Sequence, residues 1–82
     1  MQLDILTPEL KVFSGEVDSV QLCGTNGKFE VLNNHTPMIT SIIEGTVKIK
    51  TSTGKQEFKL KSGIVEVLKN NVSVLTVGVV TV

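Results

Sequence analysis

The sequence contains few of the residue types on which common functional sites depend. Its 82 residues include one cysteine, one histidine, no tryptophan, no tyrosine and no arginine. A single cysteine excludes an internal disulfide and, with no apolar leader segment in view, predicts a reducing, cytoplasmic setting. Eight lysines balance eight acidic residues. Because the net charge is zero and the basic residues alternate with acids, we expect no nucleic acid as a partner.

Long hydrophobic runs and helix signatures are also missing. The most apolar stretch, Val72 to Val82, is about half as long as a membrane helix needs and predicts a buried strand. Thr40 to Glu44 offers a single helical turn at most, and the β-branched Ile42 and Ile43 disfavour even that. The length predicts one domain over residues 1–82. A domain this small has little core, so a partner surface would add to its stability.

What the chain does have is a two-residue period. Polar and apolar residues alternate over Thr46–Lys50 and Lys55–Lys61, on either side of the turn-forming residues 51–54. The alternation predicts an antiparallel hairpin with its lysines toward water. A second predicted hairpin pairs Ile64–Leu68 with Val72–Val77, because the intervening asparagines tolerate the left-handed conformation of a tight turn.

Shorter strands are predicted before these hairpins. Thr7-Pro8-Glu9 and Ser14-Gly15 are read as breaks, and residues 24–27 as a turn. The predicted strands are Leu3–Leu6, Lys11–Phe13, Glu16–Leu22 and Lys28–Leu32. Seven or more short strands separated by turn signals predict an all-β fold, an antiparallel sandwich or barrel.

His35, the only histidine, is the first candidate for chemistry. A histidine base requires a nucleophile and an orienting acid, and a zinc site requires three or four ligands; neither spacing is present. Asn33, Asn34 and Pro37 are typical of a turn, with the asparagines bonding the local backbone. We therefore expect His35 to cap this turn or contact a partner, with a His35-dependent enzyme as an alternative. Cys23 is expected to be a small, partly buried residue.

Three other patterns are explained without a functional site. Glu16 and Asp18 would share one face of the predicted strand. A solvent-exposed face is favoured there over a pair of carboxylates in acid–base catalysis. Residues 24–27 resemble a phosphate loop but lack its lysine and its helix. Lys55 lies just past a hairpin turn, where small β-barrel carrier domains place a modified lysine. Its neighbours Gly54 and Gln56 do not match that setting, so a carrier or binding module remains the alternative function.

The order of landmarks along the chain resembles a known family. The landmarks are LDILTPELKVFSGEVDSVQL (3–22), a Gly-x-x-Gly turn, VLNNHTPMIT (31–40), GTVKI (45–49) and SGIVEVLKNNVSVL (62–75). Together they resemble the N-terminal β-domain of the epsilon subunit of the rotary (F-type) ATP synthase, from about Leu3 to Leu75.

The most specific match surrounds the histidine. The family typically has Gly-(Val/Ile)-(Leu/Tyr)-Pro-x-His-Ala-Pro there, and the matching residues are Val31, Leu32, His35 and Pro37. Three positions depart from this pattern, namely Glu30 for Gly, Asn33 for Pro and Thr36 for Ala. The departures keep the turn character of the segment.

The resemblance implies a flattened β-sandwich of about ten short strands. It also implies a non-catalytic rotor subunit of the central stalk, without cofactor or metal, that docks on the gamma subunit and the c-ring. Such a subunit helps to couple ion (proton) translocation to ATP synthesis. By family position, Lys28, Asn33 and His35 would lie at the c-ring end, and Thr7 and Thr40 on the gamma side.

Relatives usually continue into two C-terminal helices that can inhibit ATP hydrolysis. Nothing in this sequence corresponds to them, so we expect an N-terminal domain or a natural short form without the helical hairpin. The resemblance implies a peripheral protein on the cytoplasmic face of the bacterial cell membrane. It would be held there by its complex and not by a transmembrane segment of its own.

Overall fold

A computed structural model describes residues 1–80 as an all-β chain. Within those residues no helix is long and apolar enough to cross a membrane. The nine strands are β1 (Gln2–Leu6), β2 (Lys11–Glu16), β3 (Ser19–Gly24), β4 (Gly27–Leu32), β5 (Met38–Ile42), β6 (Gly45–Thr51), β7 (Gly54–Leu60), β8 (Gly63–Leu68) and β9 (Asn71–Thr76). The all-β prediction is confirmed, and Thr40–Glu44 contributes to a strand and its exit, not to a helical turn.

All nine strands belong to one sheet. Their order is β2-β1-β9-β8-β5-β3-β6-β7, with β4 on the other edge of β3. The sheet is antiparallel, as predicted, except at one place where β1 and β9 run parallel. These two strands come from opposite ends of the chain, so no tight turn dictates their relative direction.

The sheet curls until its end strands meet. Phe13 on β2 and Phe58 on β7 pack with ring centroids 5.8 Å apart. The sheet bends where β5 meets β3. There Gly24 of β3 pairs with Ile42 of β5, and the Ile43 amide donates to the Cys23 carbonyl. The chain turns there from β5 into β6, so one half of the sheet (β2-β1-β9-β8-β5) folds over the other (β4-β3-β6-β7). This arrangement is the predicted flattened sandwich or barrel.

The core lies between the two halves and is built by alternation. On each strand every second residue points inward, as Val47 and Ile49 do on β6 and Val65 and Val67 on β8. The buried hydrophobic residues are Met1, Leu3, Ile5, Val17, Val20, Leu22, Val31, Ile42, Val47, Ile49, Leu60, Val65, Val67, Val72 and Val74. Because most are β-branched or small, the core packs without tryptophan or tyrosine.

Both predicted hairpins are confirmed. In β6–β7, Lys50 lies opposite Lys55 and Thr51 opposite Gly54. In β8–β9, Leu68 lies opposite Asn71, and the two residues between them have positive φ, 50° at Lys69 and 61° at Asn70. A two-residue turn with both residues left-handed matches the twist of the flanking strands. Lys69 accepts this conformation without being an asparagine or glycine.

The predicted break at Ser14-Gly15 is wrong. Strand β2 runs through both residues, because the Ser14 hydroxyl donates to Asp4 Oδ1 at 2.6 Å and Gly15 lies opposite Leu3. The chain breaks at residues 17–18 instead, where Val17 is buried and its amide donates to the Met1 carbonyl. Glu16 is therefore the last residue of β2, whereas Asp18 lies in the turn that follows. The two acids do not share a strand face, contrary to the prediction.

The predicted strand Val72–Val82 is also shorter than expected. Strand β9 ends at Thr76, whose buried hydroxyl lies 2.8 Å from the Lys61 carbonyl oxygen and 3.1 Å from that of Gly78. These contacts turn the chain away from the sheet. Val79 then returns to form an isolated bridge with Leu60, which approaches the tenth strand expected from the resemblance. Residues 81 and 82 lie outside the described residues.

Candidate functional site

The His35 loop joins β4 to β5 and is held by bonds to distant parts of the chain. The Asn34 amide donates to Asn70 Oδ1 at 2.8 Å, and Asn34 itself has a φ of 65°. Asn33 Oδ1 accepts a hydrogen bond from the Met1 amino group at 2.7 Å. The expectation that both asparagine side chains bond the local backbone is therefore wrong, because Asn33 reaches across the fold to Met1. The loop is thereby fixed against the start of β1 and the β8–β9 turn.

His35 itself is half-buried and bonded locally. Its Nδ1 donates to the Thr36 carbonyl at 2.7 Å, the one hydrogen bond of the ring among residues 1–80. No group of three metal-ligating side chains is close enough to hold an ion in that part of the chain. Cys23 packs against Gly45, with its Sγ 3.6 Å from the Thr46 carbonyl oxygen. The imidazole caps its own turn, as one of the two expectations had it.

A shallow cleft beside this loop gathers three of the five predicted contact residues. Lys28, His35 and Thr40 line it, together with the half-buried Phe29 and Met38. We call it the loop cleft; its volume is about 350 Å³. It forms because the β3–β4 turn leans over β5 at the bend of the sheet. A rim of mixed polar groups over an apolar floor suits a protein segment as ligand.

Thr7 lies elsewhere, at the end of β1. Its hydroxyl accepts from the Leu10 amide at 3.0 Å and so closes the loop that follows β1. Thr7 lines a separate cleft of about 390 Å³ together with Leu6, Leu75 and Val77. The structure thus divides the predicted contact residues, with Thr40 beside His35 and Thr7 next to an apolar surface. Asn33 is bonded to Met1 and lines neither cleft.

A face that packs on a partner was expected, but the residues that form this apolar surface were not predicted. It covers the outer side of β5, β8 and β9 and extends to Val77, just past the end of β9. Its exposed members are Ile39, Ile64, Leu68, Leu75 and Val77. Ile39 is 69% exposed and Leu75 54%. Ile64 lies directly opposite Leu75, and Ile39 directly opposite Glu66, so the side chains form one patch around a single carboxylate. We call this patch the outer apolar surface.

A sequence signal for the outer apolar surface does exist. A strand with one face in water alternates apolar and polar residues. In β8, Ile64 and Leu68 occupy the outward positions although Val65 and Val67 already fill the inward ones. An apolar residue at outward positions of two paired strands indicates a second covered face. Patches of this kind on small domains mark interaction sites.

The fold defines a class of protein, the small all-β sandwich domain, here with an exposed apolar surface on its outer side. The chain belongs to a particular family of that class. The family model for the β-sandwich domain of the ATP synthase delta/epsilon chain matches residues 1–82. This match confirms the resemblance seen in the sequence.

Two curated relatives are both ATP synthase epsilon chains. The one from Helicobacter pylori (strain HPAG1) is 39% identical over 80 residues, which cover 98% of this chain and 65% of the relative. The one from Caulobacter vibrioides is 36% identical over 75 residues, covering 92% and 87% respectively. The chain therefore spans about two thirds of the Helicobacter protein and most of the Caulobacter one.

Two solved assemblies contain a chain of the same fold. The Euglena gracilis mitochondrial ATP synthase (OSCP/F1/c-ring) gives a TM-score of 0.88 at 20% identity, covering 95% of this chain and 51% of that one. The Tetrahymena thermophila mitochondrial ATP synthase (central stalk/c-ring) gives 0.79 at 13% identity, covering 92% and 61%. At such low identity the likeness shows the fold alone.

The family membership also bears on the alternatives. It agrees with the interpretation of the chain as a part of an enzyme complex and not an enzyme in its own right. The carrier alternative finds no support, because Lys55 lies inside the β6–β7 ladder opposite Lys50 and the family matched is a different one.

Proposed function

We propose that this chain is an epsilon-type subunit of the rotor of an ATP synthase. In this role it docks on the gamma subunit through the outer apolar surface and on the c-ring at the loop cleft. It carries no active site; it helps to couple proton translocation through the ring to ATP synthesis elsewhere in the complex. The observation that carries the proposal is the outer apolar surface on a chain of the delta/epsilon family.

The energetics of the outer apolar surface favour an obligate partner. Its five aliphatic side chains are between about half and two thirds exposed. Covering each of them contributes roughly 1 kcal/mol. Glu66 lies among them, directly opposite Ile39. Because a carboxylate buried without a partner is strongly destabilising, the docking surface on gamma must be apolar and supply a lysine or arginine for Glu66.

The loop cleft supports the second contact. Lys28 is exposed on its rim, and His35 and Thr40 lie on the same cleft. Lys28 and His35 contact the polar loops of the c-ring, and Asn33 acts by holding the loop through Met1. Thr7 belongs to the gamma contact, since it adjoins Leu75 at the end of the outer apolar surface. Thr40 lines the loop cleft, and the adjacent Ile39 belongs to the outer apolar surface. Thr40 therefore lies between the c-ring contact and the gamma contact.

The complex determines where the chain resides. The Euglena and Tetrahymena assemblies each include a c-ring, the Tetrahymena one together with the central stalk. The curated relatives are bacterial, so in the proposed role this chain is a peripheral protein on the cytoplasmic face of a bacterial membrane. Its attachment passes through gamma and the c-ring.

Co-purification tests the proposal. The chain is expressed with the gamma subunit and c-ring of its own cell, with the affinity tag on gamma. We expect the chain in stoichiometric amounts with gamma, and the c-ring with both when the membrane fraction is solubilised in mild detergent. Absence of the chain from material in which gamma and the c-ring are both present and folded would overturn the proposal.

His35→Ala separates a docking role from a catalytic one. The ring makes one local hydrogen bond, so we expect assembly or coupling to fall modestly, about twofold to fivefold in ATP-driven proton pumping. ATP hydrolysis by the catalytic subunits should persist. The measurements are hydrolysis and pumping in reconstituted enzyme, with Ser52→Ala at the tip of the β6–β7 turn as the matched control. Loss of hydrolysis in the His35 variant alone would contradict a purely structural role.

A further inference from the structure

The charges of this neutral chain separate onto its two outer faces. Five of the eight lysines project from the outer side of β4, β6 and β7, namely Lys28, Lys48, Lys50, Lys55 and Lys59. The acids on that side are Glu30 and Glu57. The outer side of the opposite half carries Asp4, Glu16 and Glu66, with Lys11 at its edge. We call the lysine-bearing side the lysine face.

The lysine face contains a cross-strand pair of like charges. Lys50 of β6 lies directly opposite Lys55 of β7, next to the turn that joins the two strands. Like charges in this position destabilise a sheet. Within residues 1–80 the one ion pair joins the Met1 amino group to Glu16. Neither lysine therefore has a carboxylate at ion-pairing distance among the described residues. The acid nearest to them along the ladder is Glu57, which lies opposite Lys48 in the next outward pair.

The same side chains line a concave surface. A shallow cleft of about 290 Å³ runs across β3, β6 and β7. Its charged lining consists of Lys48, Lys50 and Lys55 together with the two acids Glu30 and Glu57, so lysines outnumber acids there by one. The Gln21 amide of β3 and the ammonium groups of β6 and β7 offer hydrogen-bond donors from three adjacent strands. A chain of carboxylates laid along this cleft would satisfy the lysines and remove the repulsion between them.

We propose that the lysine face is an additional docking surface and that its occupant is an acidic segment of a partner protein, with carboxylates bridging Lys50 and Lys55. This surface lies on the opposite side of the fold from the outer apolar surface, so one chain could hold both partners. An anionic bilayer fits less well, because the outward residues of this face include no aromatic side chain to anchor in lipid. A carboxylate-bearing segment can enter the cleft, which a flat bilayer cannot.

Peptide binding tests the proposal on the full chain. The probe is a fluorescein-labelled peptide of ten glutamates, with a glycine-serine peptide of equal length as the neutral control, measured by anisotropy at low ionic strength. We expect the double variant Lys50→Glu/Lys55→Glu to bind the glutamate peptide at least about tenfold more weakly. The matched control is Lys11→Glu/Lys69→Glu, which makes the same change in net charge away from the lysine face and should bind as the unaltered chain does.

Thermal unfolding of the variants checks that a loss of peptide binding is not caused by unfolding. Lys55→Glu places opposite charges across the ladder, so its thermal midpoint should equal or exceed that of the unaltered chain while its binding falls. The proposal is overturned if the unaltered chain does not bind the glutamate peptide, or if the control pair weakens binding as much as the Lys50/Lys55 pair. It is equally overturned if phosphatidylglycerol-containing vesicles bind the chain more tightly than the peptide, or if Lys55→Glu melts at a lower temperature.

Discussion

Replacing Gly63 by alanine is expected to destabilise the fold by about 3 kcal/mol or more, because no space exists for a Cβ at this position. An added Cβ would overlap the Leu75 carbonyl oxygen and lie 2.8 Å from the Thr76 Cα. Both are backbone atoms of β9, and they cannot rotate away as a flexible side chain could. Gly63 pairs with Thr76 on one side and with Ile42 on the other, so strands on both sides hold it in place.

Urea unfolding followed by circular dichroism measures this effect. Gly15→Ala on β2 is the matched control, because its Cβ would meet only the Phe13 ring at 3.5 Å, an ordinary contact. We expect the control to change the free energy of unfolding by less than about 1 kcal/mol. A domain of this size has little stability in reserve, so Gly63→Ala should leave a large unfolded fraction. Equal unfolding curves for the two variants would show that β8 and β9 are not packed as described.

Replacing Ile64 by aspartate is expected to release the chain from the gamma subunit while leaving it folded. Ile64 lies at the centre of the outer apolar surface, opposite Leu75 and two residues from Glu66. A second carboxylate there would have to be buried in an apolar contact beside the first. We expect affinity for gamma to fall about a hundredfold or more, in the range of interface hot spots.

The measurement is titration calorimetry of purified gamma with the chain, and the fold is checked by thermal unfolding. Ile64 points outward and is 49% exposed, so stability should change little. Thr53→Asp introduces the same carboxylate at the tip of the β6–β7 turn and should leave binding intact. If Ile64→Asp bound gamma with undiminished affinity, the outer apolar surface would need another partner, and the proposed docking would be wrong.

The two predictions draw on features that sequence reasoning missed, and the reason is physical. In the sequence, Gly63 at the start of β8 is typical of a turn. Only the pairing of β8 with β9 shows that the absence of a Cβ at Gly63 leaves room for the β9 backbone. Ile64 and Leu75 stand in apolar strand segments, so in the sequence they look like ordinary strand residues. Their cooperation as one surface appears only when β8 and β9 are placed side by side in register.

The candidate contact residues show the same limit. Lys28, His35 and Thr40 are separated along the chain, and the bend between β5 and β6 brings them to one cleft. The family resemblance implies that Lys28 and His35 lie at the c-ring end but places Thr40 on the gamma side. The sequence predicts Asn33 to bond the local backbone of its turn, whereas its side-chain oxygen accepts a hydrogen bond from the Met1 amino group. Local pattern carries no information about a hydrogen bond to the other end of the chain.

What the sequence determined by itself is the local part of the fold. The two-residue period and the turn residues were sufficient for the β6–β7 and β8–β9 hairpins, since a tight turn sets the register of the strands it joins. Balanced charge and the scarcity of catalytic residue types favour a docking role over a catalytic one. The ordered landmarks around His35 pointed to the family.

The long-range features of the fold come from contacts that no local pattern encodes. The parallel pairing of β1 with β9, the continuation of β2 through Ser14-Gly15 and the end of β9 at Thr76 all depend on contacts between distant segments. So do the two faces of the sandwich, one apolar and acidic, the other bearing the lysines. A strand's period shows that it has two faces, but which face is covered, and by what, depends on the strands that the folded chain places beside it.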